Sequence, residues 1–129
     1  MTDFKSFIKT IIFIPTLFTM GSTQFDMQQA IIRIATINVN GLHDLTKRQN
    51  TFDFFKIRQY DIIFLQETHS EKTLEKIWQQ EWDGLSFWNS GDKKRSSGVS
   101  FLVRKGFEIK IEQIEKDTDG KILSLCFLY

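Results

Sequence analysis

At 129 residues, with 41% hydrophobic residues and 13 phenylalanines, the chain has the length of one ordinary domain and enough apolar side chains to bury a real core. Seventeen Lys and Arg against 16 Asp and Glu leave a formal net charge of +1, which excludes a global electrostatic pull toward nucleic acid or acidic membranes. Any such preference must come from a local patch. The single cysteine, Cys126, excludes an internal disulfide and reads as a small buried hydrophobe within an apolar run.

Residues 1–29 differ in composition from the rest and are read as a leader. "MTDFKSFIKTIIFIPTLFTMGS" places Lys5 and Lys9 ahead of an apolar stretch with small residues after it, the order of a secretory signal. Pro15 interrupts that stretch and no clear A-x-A site follows, which favours a leader outside the fold. The stretch is too short to span a bilayer. A nuclear or cytoplasmic location is expected, with secretion the alternative.

The folded part is expected to begin at residue 30. Ile31 to Ile37, "IIRIATI", reads as a strand and "NVNGLHDL" as the polar loop after it. Thr46 is placed to cap a helix running through about Gln59, with Phe52 and Phe55 on one face and Lys47 and Arg48 exposed in its first turn. "DIIFLQETHS" then carries a nearly continuous apolar strand, Ile62 to Leu65, whose pattern predicts burial on both faces. This β-α-β order permits a parallel pair. Ser70 is expected to cap a second helix bearing Leu74, Ile77 and Trp78. "WDGLSFWN", "GVSFLVRK", "GFEIKIEQI" and "KILSLCFLY" read as strands, joined by the loop "SGDKKRSSG" and the turn "DTDG". The pattern is α/β early and antiparallel later, a mixed sheet flanked by helices.

Several chemistries find no support in the residues. There is no G-x-G-x-x-G or P-loop, so no nucleotide cofactor is expected. One cysteine and two histidines, His43 and His69, give neither a structural zinc spacing nor a Cys-His nucleophile pair. Glu67, at the C-terminal end of a buried strand, stands where open α/β sheets place their ligands. A hard cation such as Mg²⁺ needs only one or two carboxylates and completes its shell with water and phosphate oxygens. Asn38 ends the preceding strand, and the two tips become neighbours if those strands pair. By themselves these residues also fit a solvated carboxylate and an ordinary turn asparagine. The cations of "DKKR" likewise fit either a solvated loop or a phosphate contact.

In order and spacing, "IATINVNGLHD", "KRQNTFDFF", "DIIFLQETH", "SSGVSFLVRKG" and "DTDGKILSL" resemble the start of an endonuclease/exonuclease/phosphatase domain. The likeness is closest to the endonucleases of LINE-type non-LTR retrotransposons, which are similar to exonuclease III and the apurinic/apyrimidinic endonucleases. It covers roughly residues 31 to 129, and its most specific part is N-x-N-G followed roughly thirty residues later by L-Q-E-T.

This resemblance implies a four-layer α/β sandwich and Mg²⁺-dependent (or Mn²⁺-dependent) hydrolysis of phosphodiesters in DNA. It implies that Glu67 is the metal-binding glutamate and that Asn38 is the active-site asparagine that orients the phosphate or a water. Asn40, Lys47, Arg48, Lys93, Lys94 and Arg95 fall where relatives contact nucleic acid. Asn40 stands where many repair endonucleases have Asp, a departure that suits the retrotransposon branch. The family's later motifs are a tyrosine strand, an Asp-x-Asn and a Ser-Asp-His, and none is found in these residues. The expectation is therefore the N-terminal portion of a DNA phosphodiesterase, inactive alone and able to self-associate through an uncovered sheet edge. A noncatalytic nucleic-acid-binding remnant is the alternative, and a secreted nuclease relative a third reading.

Overall fold

The computed structural model describes residues 31–92 and 97–129. The leader, and the nucleic-acid contacts expected of Lys93, Lys94 and Arg95, lie outside the described residues.

Eight elements follow in chain order: β1 (Ile34–Asn38), α1 (Leu45–Arg58), β2 (Ile62–Gln66), α2 (Lys72–Glu81), β3 (Leu85–Asn89), β4 (Val99–Val103), β5 (Lys110–Lys116) and β6 (Leu123–Leu128). The first four strands form one mixed sheet in the order β1-β2-β4-β3, and β5 and β6 form a separate antiparallel pair. β1 and β2 run parallel through the α1 crossover, whereas β2 and β3 each run antiparallel to β4. The α/β class and mixed sheet expected from the sequence are those observed.

Period-2 alternation splits the sheet into two packed faces. Ile63 and Leu65 of β2, Leu102 of β4 and Trp88 of β3 point to the helix side, where Phe52, Phe55, Trp78 and Trp82 cover them. The indole of Trp78 meets Trp88 edge to face at 5.6 Å, and Phe52 meets Trp82 at the same separation. Such pairs each add on the order of 1 kcal/mol to the burial itself. Ile62, Phe64, Val99, Phe101 and Val103 point the other way and pack against Leu123, Leu125 and Phe127 of β6. The unbroken apolar run Ile62 to Leu65 is explained by this double coverage, since all four residues are buried. Helices, mixed sheet and hairpin make three layers among the described residues.

Both expected helix caps are displaced, for physical reasons. Asp44, not Thr46, caps α1, and its carboxylate accepts the Lys47 N–H. A carboxylate also suits the positive end of the helix dipole, which Lys47 and Arg48 oppose. The N-cap of α2 is Glu71, with no side-chain cap bond, because the Ser70 hydroxyl is engaged by Thr68 and Ser90. The strand after Gly106 begins later than the alternation implies, at Lys110, and a register shift separates Ile111 from Gln113. Cys126 is half-buried on the outward side of β6.

β1 lies at one edge of the sheet. Ile34 and Ile37 on it are 44% and 42% exposed, and nearby α1 shows Phe54 at 46%, so this edge presents apolar surface to water. Among the described residues, no helix is long and apolar enough to cross a membrane.

Candidate metal and phosphate site

The parallel register sets Asn38 opposite Gln66, so Glu67 follows one residue beyond the tip. Backbone bonds continue the pairing past both strand ends. Val39 N–H donates to Gln66 O at 2.9 Å, Gly41 N–H to Glu67 O at 2.6 Å and Leu42 N–H to Thr68 O at 3.0 Å. The loop carrying Asn38 and the loop carrying Glu67 are thereby laced together. The other flank is tied by Thr68 N–H to Gly98 O at 3.1 Å and His69 N–H to Ser97 O at 2.7 Å.

Three non-glycine residues at these tips have left-handed backbones: Asn40 (φ 48), Glu67 (φ 54) and His69 (φ 52). Asparagine tolerates that conformation through local hydrogen bonds, and here the Asn38 Oδ1 accepts the Asn40 N–H at 3.0 Å. Glutamate and histidine tolerate it less well, and at Glu67 and His69 it costs on the order of 1 kcal/mol each in backbone strain that the surrounding bonds must hold. Two left-handed residues on either side of Thr68 turn the chain sharply just where the carboxylate emerges. Glycine is required beside them. A Cβ at Gly98 (φ +108) would meet Thr68 Oγ1 at 2.2 Å, and one at Gly41 (φ +85) would meet His69 Nδ1 at 2.9 Å.

The side chains converge accordingly. His69 Nε2 lies 3.2 Å from Glu67 Oε2, with both side chains 28% exposed. His43 Nε2 donates to the His69 carbonyl at 2.6 Å and stacks edge-on against Trp78. Lys47 Nζ donates to the Asn40 carbonyl at 3.0 Å. Asn38, Asn40, Lys47, Glu67 and His69 thus share one end of the sheet, above its parallel strand pair. By its sequence context His69 is only a flanking loop residue. Its contact with Glu67 follows from the two left-handed turns, which no residue type in "QETH" announces.

Arg48 stands apart from these and corrects an expectation. It is 6% exposed. Its Nε and Nη2 bind Glu81, its Nη1 donates to the carbonyls of Leu42 at 2.7 Å and His43 at 3.2 Å, and its guanidinium lies 4.8 Å from the Trp78 ring centre. All three guanidinium nitrogens are committed inside the fold, so Arg48 is buried where an exposed first-turn cation is expected. Its hydrogen bonds lower the pKa of Glu81 below the ordinary carboxylate value, against the opposing effect of burial.

The oxygen donors here suit a hard cation with an incomplete protein shell. Among the described residues, no group of three or more His, Cys, Asp or Glu side chains is placed to hold a metal ion. Glu67 offers one carboxylate, which fits Mg²⁺ retaining several waters and fits neither a structural zinc nor a calcium cage. A groove of about 530 Å³ lined by Ile37, Lys47, Phe54 and Phe55 among others runs beside β1 and contains neither Asn38 nor Glu67.

The chain is similar to known proteins. A family model described as the Endonuclease/Exonuclease/phosphatase family matches residues 35–127. The chain is also 31% identical over 94 residues to the "Transposon TX1 uncharacterized 149 kDa protein" of Xenopus laevis, an alignment covering 73% of this chain. It spans only 7% of that relative's length.

Proposed function

We propose, for a chain that belongs to the endonuclease/exonuclease/phosphatase family, that Asn38 and Glu67 form the metal-binding and phosphate-orienting part of a Mg²⁺-dependent site that cleaves phosphodiester bonds in DNA. The family and the transposon relative support a nuclease-type function. The observation that carries the finer reading is the register of β1 on β2, which sets Asn38 beside the strained turn bearing Glu67.

In this reading Glu67 binds Mg²⁺, for which Mn²⁺ is a chemically close substitute. Bound there, the ion supplies polarisation of the phosphoryl oxygen and charge stabilisation on the leaving oxygen. The chain's own residues do the placing. His69 Nε2 orients the Glu67 carboxylate from 3.2 Å. Asn38 is exposed at the tip, with its Oδ1 held by the Asn40 N–H, so its Nδ2 is the donor directed to an anionic oxygen. Lys47 holds the Asn40 loop from beneath and adds positive charge near the phosphate path, as Lys93, Lys94 and Arg95 are proposed to do on sequence grounds. These cations would hold the backbone and carry no base readout. The Asp-x-Asn and Ser-Asp-His segments implied by the family resemblance are absent from these 129 residues. General acid and base groups each contribute about 10²- to 10⁴-fold, so cleavage by this chain alone is expected to be slow.

The test is nicking of supercoiled plasmid by the purified chain in Mg²⁺. Slow nicking that disappears with EDTA and with Glu67→Ala is the expected result. Undiminished nicking by Glu67→Ala would overturn the role given to that residue. Salt-sensitive DNA binding without cleavage, unchanged in Glu67→Ala, would make the chain a noncatalytic binding module.

A further inference from the structure

Behind the turn that carries Glu67 lies a buried line of hydroxyl groups that ends on a helix carboxylate. Thr68 is 0% exposed, and Ser70 and Ser90 are each 1% exposed. Thr68 Oγ1 lies 2.9 Å from Ser70 Oγ, which lies 2.8 Å from Ser90 Oγ, which lies 2.6 Å from Glu75 Oε1 on α2. The Ser90 N–H reaches the same carboxylate oxygen at 3.1 Å. Each hydroxyl has one proton to give, and an ionised carboxylate only accepts. Ser90 Oγ is placed to donate to Glu75 Oε1 and to Ser70 Oγ, its one proton serving one of them at a time, and either hydroxyl can donate between Thr68 and Ser70. Every hydroxyl in the line has a hydrogen-bond partner within it.

We infer that this Glu75–Ser90–Ser70–Thr68 relay is a positioning element that holds Glu67 in its left-handed backbone conformation and so aims its carboxylate at the Asn38 side of the site. Thr68 is the residue flanked by the two strained positions, Glu67 and His69. Its backbone is fixed on both sides, by the bonds to Gly98 and Leu42, and its side chain is the remaining degree of freedom. The relay supplies that last constraint from α2 and the end of β3, elements outside the two loops that form the site. It also explains why Ser70 does not cap α2. Glycine at position 98 completes the fit, since any Cβ there would displace the Thr68 hydroxyl.

The inference rests on the metal-binding reading of Glu67 for its consequence, though not for its geometry, and two NMR readouts separate them. The first is the strong intraresidue HN–Hα cross-peak diagnostic of positive φ at Glu67. The second is the Mg²⁺ affinity from amide shifts around Glu67. Thr68→Val and Ser70→Ala are expected to remove the first and weaken the second about tenfold, as outer-shell changes at metal sites do. The amide spectrum around Trp78 and Trp88 should stay in place, and Thr68→Ser, which keeps the hydroxyl, should retain both readouts. Should Ser70→Ala not fold, Glu75→Gln keeps the shape and gives a smaller change in the same direction. Wild-type cross-peak and wild-type affinity in Thr68→Val and Ser70→Ala would overturn the inference. If Mg²⁺ moves no resonance near Glu67 in the unsubstituted chain, the metal reading fails alone, and the cross-peak decides the positioning role.

Discussion

Arg48 and Glu81, 33 residues apart, meet in a two-pronged ion pair, Nε to Oε2 at 2.5 Å and Nη2 to Oε1 at 2.8 Å. The same guanidinium holds the carbonyls of Leu42 and His43, the segment that follows Asn38 and leads into α1. One side chain thus joins α1 to α2 and fixes the loop on the Asn38 side of the site. Arg48→Met leaves a part-buried carboxylate and two carbonyls without their donor. The expected loss is about 2 to 3 kcal/mol of stability, below the full figure for a buried pair because Glu81 keeps solvent contact. Urea denaturation of the two proteins measures it.

The same pair carries a pH dependence. Glu81 titrates below its ordinary value of 4.5 because Arg48 hydrogen-bonds its charged form. A depressed carboxylate stabilises the fold at pH above the unfolded value and loses that contribution as pH falls through the folded one. Stability of the wild-type chain should therefore fall as pH drops below about 4.5, and Arg48→Met should flatten that part of the curve. Urea midpoints from about pH 7 to pH 3 give the comparison.

Gly98→Ala tests the close approach behind the site. The added methyl would lie 2.2 Å from Thr68 Oγ1 at a backbone φ of +108. Steric displacement and left-handed strain together should cost about 2 kcal/mol or more. Thermal unfolding followed by circular dichroism reports the loss. An unchanged Tm would show that the Thr68 loop yields freely, contrary to its hydrogen bonding on both sides.

Asn89 links the mixed sheet to the hairpin. It is 4% exposed, and its Nδ2 donates to Asp117 O, Asp117 Oδ1 and Ile122 O at 3.0, 2.9 and 2.7 Å. Burial pushes the Asp117 carboxyl up, but the N–H groups of Ile122 and Lys121 and the Asn89 amide outweigh it and hold the pKa below the usual value. Asn89→Ala should loosen the β5–β6 hairpin by about 2 kcal/mol, the cost of orphaning buried polar groups. Hydrogen exchange should then accelerate in β6 while the amides of β2 stay protected. Uniform acceleration would mean that the hairpin does not open separately.

Much of the sheet is legible in the residues themselves, through the alternation and apolar runs of its strands. That Asn38 and Glu67 sit at neighbouring strand tips is legible for the same reason, since two paired parallel strands end side by side. Arg48 is not. A cation in a first helical turn looks solvent-facing, and nothing near it announces a partner 33 residues away. Thr46 and Ser70 look like caps because their hydroxyls are the right kind of group, and only packing shows that Asp44 competes better and that Ser70 is committed to Thr68 and Ser90. The positive φ angles at Glu67 and His69 occur in a turn bonded to residues 41–42 and 97–98, distant in sequence, which a local pattern does not encode.

Paramagnetic broadening of backbone amides by Mn²⁺ at low stoichiometry reads the proposed metal site without depending on turnover. Signals of residues at the two strand tips, Asn38 to Gly41 and Gln66 to His69, are expected to broaden first. Excess Mg²⁺ should restore them, and Glu67→Ala should abolish the effect while the fold is kept. Broadening centred elsewhere, or undiminished at these residues in Glu67→Ala, would contradict the assignment of Glu67 as the metal ligand.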